Sequence, residues 1–306
     1  MKKIILFFKI FIVSFALIII IGLSAYAYLR GSWFRSPDMP HVGGENRKEA
    51  FFTFLIVGID HGVNTDTIMV GSYDAVNKRG HIIGIPRDTY VDASRSVKKL
   101  NAAYSAGTRN GGGKEGGIGQ LKSEIKTLIG FVPDFYVCVN FEAFENIIDS
   151  LGGVDIDVPY DMRYDDPTPG HELHIDIKAG YRRLDGANAL KFARYRKSNI
   201  GSGITDYKRI ENQQAVMNAA LEKLLTPAGL LKIPRFVQIF NDNVGSDLTA
   251  GNMLWFANQL NKIKGTDALT MHTLPTSGTS GPPMYYELPD KVKILDLVNE
   301  TINPFK

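Results

Sequence analysis

Four arginines, one glutamine and four aspartates in this 306-residue chain have types and spacings that suit a multiply charged anion. Arg194 and Arg196 stand two apart in "FARYRK". Read as an extended segment, they share a face about 7 Å apart, and two guanidiniums aimed into one cleft repel by roughly 2 kcal/mol at an effective dielectric of 20. An anion relieves that repulsion, and arginine's planar fork suits phosphate, so a diphosphate could engage several forks at once. The spacing equally allows both side chains to splay into solvent. Arg87 and Asp88, in "IPRDT", follow directly on a strand-like run, at the place where open α/β sheets bind ligands. Asp60 and Asp66, in "GIDHGVNTDTIM", flank a short loop between two such runs. Brought together, two carboxylates could hold Mg²⁺, with Mn²⁺ an alternative, and the ion would bridge to phosphate oxygens. Without an anionic substrate, they read as loop aspartates making turn hydrogen bonds.

Asp206, Arg209 and Gln213 lie on a helix expected from about Thr205 to Leu225. At ~100° per residue, Ile210, Met217, Leu221 and Leu224 form its buried stripe. The three polar residues fall along one edge of that stripe, at a spacing of i, i+3, i+7. The same spacing fits a plain surface ion pair between Asp206 and Arg209.

The elements that position these residues are mixed. "FFTFLIVGID", "TIMVGSYD" and "HIIGIPRDTY" read as strands, with Pro86 stopping the third, and "DFYVCVNF" as another. "NFEAFENIIDSLGG" has apolar residues at helical spacing between Asn140 as N-cap and Gly152 as stop. "VDIDVP" and "LHIDIKAG" are further strands, separated by an expected polar loop around "MRYDDPTPGHE". "DGANALKFAR", "AGNMLWFANQLNKI" and "KVKILDLVNE" read as helices, and "ALTMHTLP" as a strand. The expected fold class is α/β in a mixed arrangement: a central β-sheet flanked by helices, preceded by one N-terminal transmembrane helix.

That helix is the uncharged run from Ile10 to Leu29, whose 20 residues span about 30 Å, the thickness of a bilayer core. Lys2, Lys3 and Lys9 keep its start in the cytoplasm and place the remainder outside. A cleaved signal peptide, with "AYA" at 25 to 27 as cleavage site, is the competing reading; its apolar run would be shorter, ~7–15 residues. The expected organisation is a cytoplasmic tail (1–9), a signal anchor (10–29), a linker (30–48), a catalytic domain (49–225) and a C-terminal part of the same extracellular domain (226–306).

Five basic residues and no acids precede position 36, leaving 30 of the 35 lysines and arginines against 32 acids. The expected exported part is thus near neutral, which argues against nucleic acid as a partner. Cys138 cannot form an internal disulfide alone and reads as a small buried hydrophobe. "NGGGKEGG" fails the phosphate-loop pattern, with Thr108 and Glu115 where glycine and Ser or Thr are needed. Neither a serine-hydrolase elbow nor a zinc-protease helix is present, and His171 and His174 read as surface positions.

Together, "NTDTIMV", "IGIPRDTYV", "KLNAAYSAG", "DFYVCVNFEAFENIIDSLGGVDIDVP", "LDGANALKFARYRK" and "DYKRIENQQ" resemble the LytR-CpsA-Psr family, over roughly residues 51 to 225. The resemblance implies a membrane-anchored bacterial enzyme that transfers an anionic glycopolymer, such as a teichoic acid or capsular polysaccharide, from a polyprenyl diphosphate carrier to peptidoglycan. It implies that Arg87, Arg194, Arg196, Arg209 and Gln213 hold the diphosphate and that Asp60 and Asp66 are associated with Mg²⁺. Arg87, Asp66 and Arg209 are then the catalytic candidates, Asp66 being the first choice to deprotonate the acceptor hydroxyl. Asp88 and Asp206 are additional candidates. A non-catalytic polyprenyl-phosphate-binding or regulatory envelope protein and a lipid diphosphate hydrolase are the alternatives. The chain departs from many members at Asn64-Thr65, where they carry Arg-Ser, and at "KSNIGSGIT", which replaces an acidic-Pro segment. The glycopolymer, acceptor hydroxyl and oligomeric state are not specified by these residues.

Overall fold

The computed structural model describes residues 46–60, 64–168, 172–201, 203–224, 226–230, 244–260 and 269–305, with single positions at 232, 235, 238 and 239. The expected cytoplasmic tail, anchor and most of the linker lie outside the described residues. Among the described residues, no helix is long and apolar enough to cross a membrane.

Apolar runs rich in β-branched and aromatic residues form the centre. Strands β1 (Phe51–Asp60), β2 (Asn64–Asp74) and β3 (Arg79–Gly84) run antiparallel to one another in sequence. β4 (Phe135–Asn140) joins β1 in parallel. Two late strands, numbered after the four outer strands below, complete the sheet: β9 (Val244–Ser246) and β10 (Leu269–Thr273) give the order β10-β3-β2-β1-β4-β9. β1, β3, β4 and β10 all point the same way, so their carboxyl ends and the start of β2 meet at one edge.

Side chains alternate across the pleat. Leu55, Val57, Ile59, Ile68, Val70 and Ile83 face the principal core, covered by α1 (Ala102–Gly107), α2 (Gly113–Ile129) and the last helix. Two glycines of the failed phosphate-loop pattern serve packing here: a Cβ on Gly116 would stand 2.9 Å from the Gly107 carbonyl oxygen and one on Gly117 2.6 Å from Thr108 Oγ1, so glycine lets these helices meet. On the opposite face Phe52, Tyr73 and Phe135 pack with Trp255.

An outer layer covers one end of the sheet. It contains α3 (Phe141–Leu151), α4 (Gly186–Arg194), α5 (Asp206–Leu224) and two antiparallel strand pairs, β5 (Val154–Val158) with β8 (Gly180–Leu184) and, inserted between them in the chain, β6 (Met162–Asp166) with β7 (Leu173–Ile177). Asn140 caps α3 by accepting from Ala143 N at 2.8 Å, and Gly152 ends it at φ 83°, as the sequence indicates. The polar loop expected at "MRYDDPTPGHE" is instead partly strand. β6 turns only Met162 fully inward, so its charged outer face conceals the alternation. His174 pairs with exposed Asp165, and His171 lies outside the described residues.

The last two helices are α6 (Ala250–Leu260) and α7 (Lys291–Thr301). Between them, after β10, comes the small hairpin β11 (Thr276–Thr279) and β12 (Glu287–Pro289). Ile294, Val298 and Ile302 join the principal core, which ties residues after 268 into the same fold as β1 to β4. Cys138 packs against that core, and burial pushes its thiol up to about 11, consistent with an inert side chain.

Candidate active site

The shared strand edge gathers the charged residues, and local backbone features aim each one. The β1–β2 register slips between Gly58 and Ile59: Gly58 pairs with Thr67, and Ile59 with Thr65. Asp66 is therefore the extra residue of a β-bulge, a device that re-aims a side chain. Buried Thr65 anchors the bulge through a 3.3 Å hydrogen bond from its hydroxyl to the Asn101 carbonyl.

Arg87 comes from the turn that Pro86 starts after β3. Thr89 N donates to the Pro86 carbonyl at 3.0 Å, and Asn101 N donates to the Arg87 carbonyl at 3.0 Å. The turn is thus held on both sides. Its guanidinium Nη1 lies 2.5 Å from Asp66 Oδ1, and its backbone N donates to Asp206 Oδ2 at 3.3 Å.

Helix α5 brings Arg209 against the same pair. The approach requires Gly84, where a Cβ would stand 2.6 Å from Ile210 Cγ2. Arg209 Nη2 lies 2.7 Å from Asp206 Oδ1 and donates to the Asp66 carbonyl at 3.4 Å. The side chains of Arg209 and Asp206 are only 5% and 6% exposed, which excludes a plain surface ion pair. Burial pushes the Arg209 guanidinium below its ordinary value; Asp206 opposes this, while nearby Arg87 and Arg196 add to it. Among the described residues, the buried Nε atoms of Arg87 and Arg209 have no hydrogen-bond partner.

The buried face of α5 differs from the expected stripe. Asp206, Arg209, Ile210, Asn212, Val216 and Ala219 are buried, whereas Met217, Leu221 and Leu224 are half-buried. The helix is wedged between the sheet, which Ile210 meets, and the outer-layer core, which takes Val216 and Ala219. Two-sided burial places the polar edge in the middle of the contact. Gln213 is half-buried one turn beyond Arg209.

Arg194 and Arg196 do not form the extended pair expected from their spacing. Arg194 is the last residue of α4, and its guanidinium stacks over the Phe141 ring at 4.4 Å from the centroid. Arg196, past the helix end, lies 4.0 Å from Asp88 Oδ2. The helix termination at Tyr195, with ψ 124°, turns the chain between them. Asp88 also binds Lys99 at 3.1 Å. Lys99, in "KLNAAYSAG", is a site cation that sequence reasoning passed over; its signal was the motif, which lacks any charge periodicity.

The loop after Arg196 closes on itself. Ile204 N donates to the Arg196 carbonyl at 2.7 Å, a contact so close that a Cβ on Gly203 would stand 2.5 Å from that oxygen. Asn199 pins the loop to β6 by donating to the Arg163 carbonyl at 2.9 Å and accepting from Asp165 N at 2.6 Å.

Asp60 ends β1 opposite Asn64, which puts its backbone beside the bulge; its side chain lies outside the description. Among the described residues, no group of three or more His, Cys, Asp or Glu forms a metal cage. Mg²⁺ commonly takes one or two carboxylates and completes its shell with water and substrate phosphates, so the hard oxygen donors of Asp60 and Asp66 suit it.

Beside this charged edge lies apolar surface. Phe54, Ile56 and Gly58 of β1 are level with Phe135, Val137 and Val139 of β4 and share their face. Although β1 and β4 are interior strands, all of these except Phe135 are only partly buried. The sheet face next to the arginines is incompletely covered.

Comparison with known proteins follows the same residues. The family model described as the LytR_cpsA_psr family matches residues 35–302, well past the span that the sequence motifs mark. The chain is 28% identical over 328 aligned residues to the polyisoprenyl-teichoic acid–peptidoglycan teichoic acid transferase TagV of Bacillus subtilis, covering 99% of this chain and 78% of TagV. It is 29% identical over 212 residues to the regulatory protein MsrR of Staphylococcus aureus, covering 67% of this chain but only 59% of that relative. The crystal structure of B. subtilis TagV superposes with a TM-score of 0.66 over 83% of this chain and 96% of TagV. A structure of TagT bound to LIIa-WTA shares the fold, with a TM-score of 0.63 at 20% identity over 87% of this chain and 99% of that one. The chain belongs to the LytR-CpsA-Psr family.

Proposed function

We propose that this protein is a membrane-anchored extracellular phosphotransferase that moves an anionic glycopolymer from a polyprenyl diphosphate carrier to peptidoglycan. The observation that carries the reading is the convergence of Arg87 and Arg209 on Asp66, with both arginine Nε atoms buried and unpartnered among the described residues. Fixed cations of this kind act on charge that develops during transfer, without reorganising when the reaction occurs. The partly covered apolar face of β1 and β4 suits the hydrocarbon of the carrier, and the activity for which its relative TagV is named agrees in substrate class.

In the proposed reaction, an acceptor sugar hydroxyl attacks the phosphorus that bears the glycan. The bond from that phosphorus to the bridging oxygen breaks, and polyprenyl phosphate leaves with the bonding electrons. The product is a glycan–phosphate–sugar phosphodiester. Arg87 and Arg209, with Arg194, Arg196 and Gln213 towards the rim, bind the diphosphate and stabilise the leaving phosphate. The Asp66 carboxylate accepts the hydroxyl proton, and Asp206 and Asp88 orient the arginines. Mg²⁺ or Mn²⁺ held by Asp60 and Asp66 would supply further charge neutralisation at the phosphates.

The test incubates the full chain in detergent micelles with Mg²⁺, a polyprenyl-diphosphate glycan and peptidoglycan oligomers, and seeks the phosphodiester product by mass spectrometry. Formation of that product is expected. Retained lipid without product would replace the reading with a binding protein, and glycan phosphate released independently of acceptor would replace it with a hydrolase.

A further inference from the structure

The hairpin β11–β12 is bound to the Arg87 turn through its backbone. Glu287 N donates to the Asp88 carbonyl at 3.0 Å, and Tyr90 N donates to the Glu287 carbonyl at 2.8 Å. The ladder continues beyond the strands, since Ser280 N donates to the Tyr286 carbonyl at 2.9 Å. Alternation through 285 to 287 sends Tyr286 to one side, where its ring meets Tyr90 edge-on at 5.5 Å. Glu287 projects to the other side, and Tyr285, two residues before the strand begins, is exposed beside it in the chain.

That second side borders the active site. The Glu287 carboxylate accepts from Thr276 Oγ1 at 3.2 Å and Thr279 Oγ1 at 3.5 Å. Thr276 in turn hydrogen-bonds the hydroxyl of Tyr207, the residue after buried Asp206. From Asp206 outward, the surface thus presents a phenol, two threonine hydroxyls, a carboxylate and the Tyr285 ring, which is 59% exposed.

We infer that this face of the hairpin is a carbohydrate subsite that holds the acceptor glycan strand beside the Arg87 turn. A flat aromatic surface accepts the apolar C–H face of a pyranose, and a row of hydroxyl and carboxylate groups matches its rim of hydroxyls and amides. The phosphate-facing groups on the other side of Asp206 are cationic and suit the donor, whereas the groups named on this face are hydroxyls, a carboxylate and an aromatic ring. The occupant is therefore a neutral stretch of sugar rather than a second anion. The inference rests on the proposed transfer reaction for the identity of the acceptor, but not for the existence of the subsite.

Two measurements on the full chain separate these questions. In the transfer assay, Tyr285→Ala should raise the acceptor KM about tenfold while kcat stays within about twofold, and Tyr285→Phe should restore the wild-type KM because the ring is kept. Saturation-transfer NMR with peptidoglycan glycan oligomers reads the subsite without turnover: signals from the sugar ring protons should appear with wild type and disappear with Tyr285→Ala. Wild-type KM and NMR signals in Tyr285→Ala would overturn the subsite while leaving the transfer reaction standing. Absence of product from the wild-type enzyme, with sugar signals that depend on Tyr285, would instead keep the subsite and remove the proposed reaction.

Discussion

The two flanks of the arginine cluster are built on different principles. Arg87 and Arg209 are fixed by the sheet edge, by a bulge, by a Pro-started turn and by a nearly inaccessible Asp206. Arg194 and Arg196 sit beyond a helix end, one stacked on Phe141 and the other 41% exposed at 4.0 Å from Asp88. A buried cation keeps one geometry because the alternative, an unpaired buried charge, is costly. A rim cation moves at small cost, since solvent screens it. Under the proposed reaction, the inner flank suits the constant lipid-diphosphate part of the donor, and the outer flank, with the loop that Ile204 closes on Arg196, suits the part of the glycan that varies.

Breaking each flank should give effects of different kind and size. Arg209→Ala should have the largest effect on the fold itself, about 3–5 kcal/mol of lost stability, because Asp206 is left charged and buried. Urea denaturation reads this loss; a change below about 1 kcal/mol would mean that the inner flank is not held by the pair. Arg87→Ala leaves partly exposed Asp66 behind, so it should spare the fold and lower kcat by about 10²–10³-fold, the cost of removing one preorganised charge-stabilising donor. Wild-type turnover in that variant would take Arg87 out of the site. On the outer flank, Arg196→Ala should raise the donor KM about tenfold with kcat little changed, and Arg194→Ala should raise it only a few-fold, as expected of exposed cation contacts. Equal losses of kcat from inner and outer variants in single-turnover measurements would erase the distinction.

Legibility followed the same division. Asn140 and Gly152 mark the ends of α3 in the sequence because caps act within a few residues. Five of the six strands of the central sheet were readable for a similar reason, each being an apolar run bounded by loop residues, whereas β9, only three residues long, carries no such run. β6 was not, since four of its five positions keep some solvent exposure and only Met162 is fully buried. On α5, periodicity selected Met217, Leu221 and Leu224 for burial, but a helix covered on two sides buries polar residues as well. Lys99 and Glu287 of the hairpin are near the site through contacts with Asp88, which lies 11 and 199 positions away in the chain.

The sequence by itself determined which residues are charged, where the strongly patterned strands and helices lie, and that arginines and aspartates recur at strand ends; these depend on neighbours within a turn or two. The tertiary structure alone decided that Arg209 is buried with Asp206, that Arg194 and Arg196 part company, and that Asp66 turns towards Arg87 from a bulge. Burial, ion pairing and register are set by segments distant in the chain, and the energy of a charge depends on what surrounds it more than on what precedes it.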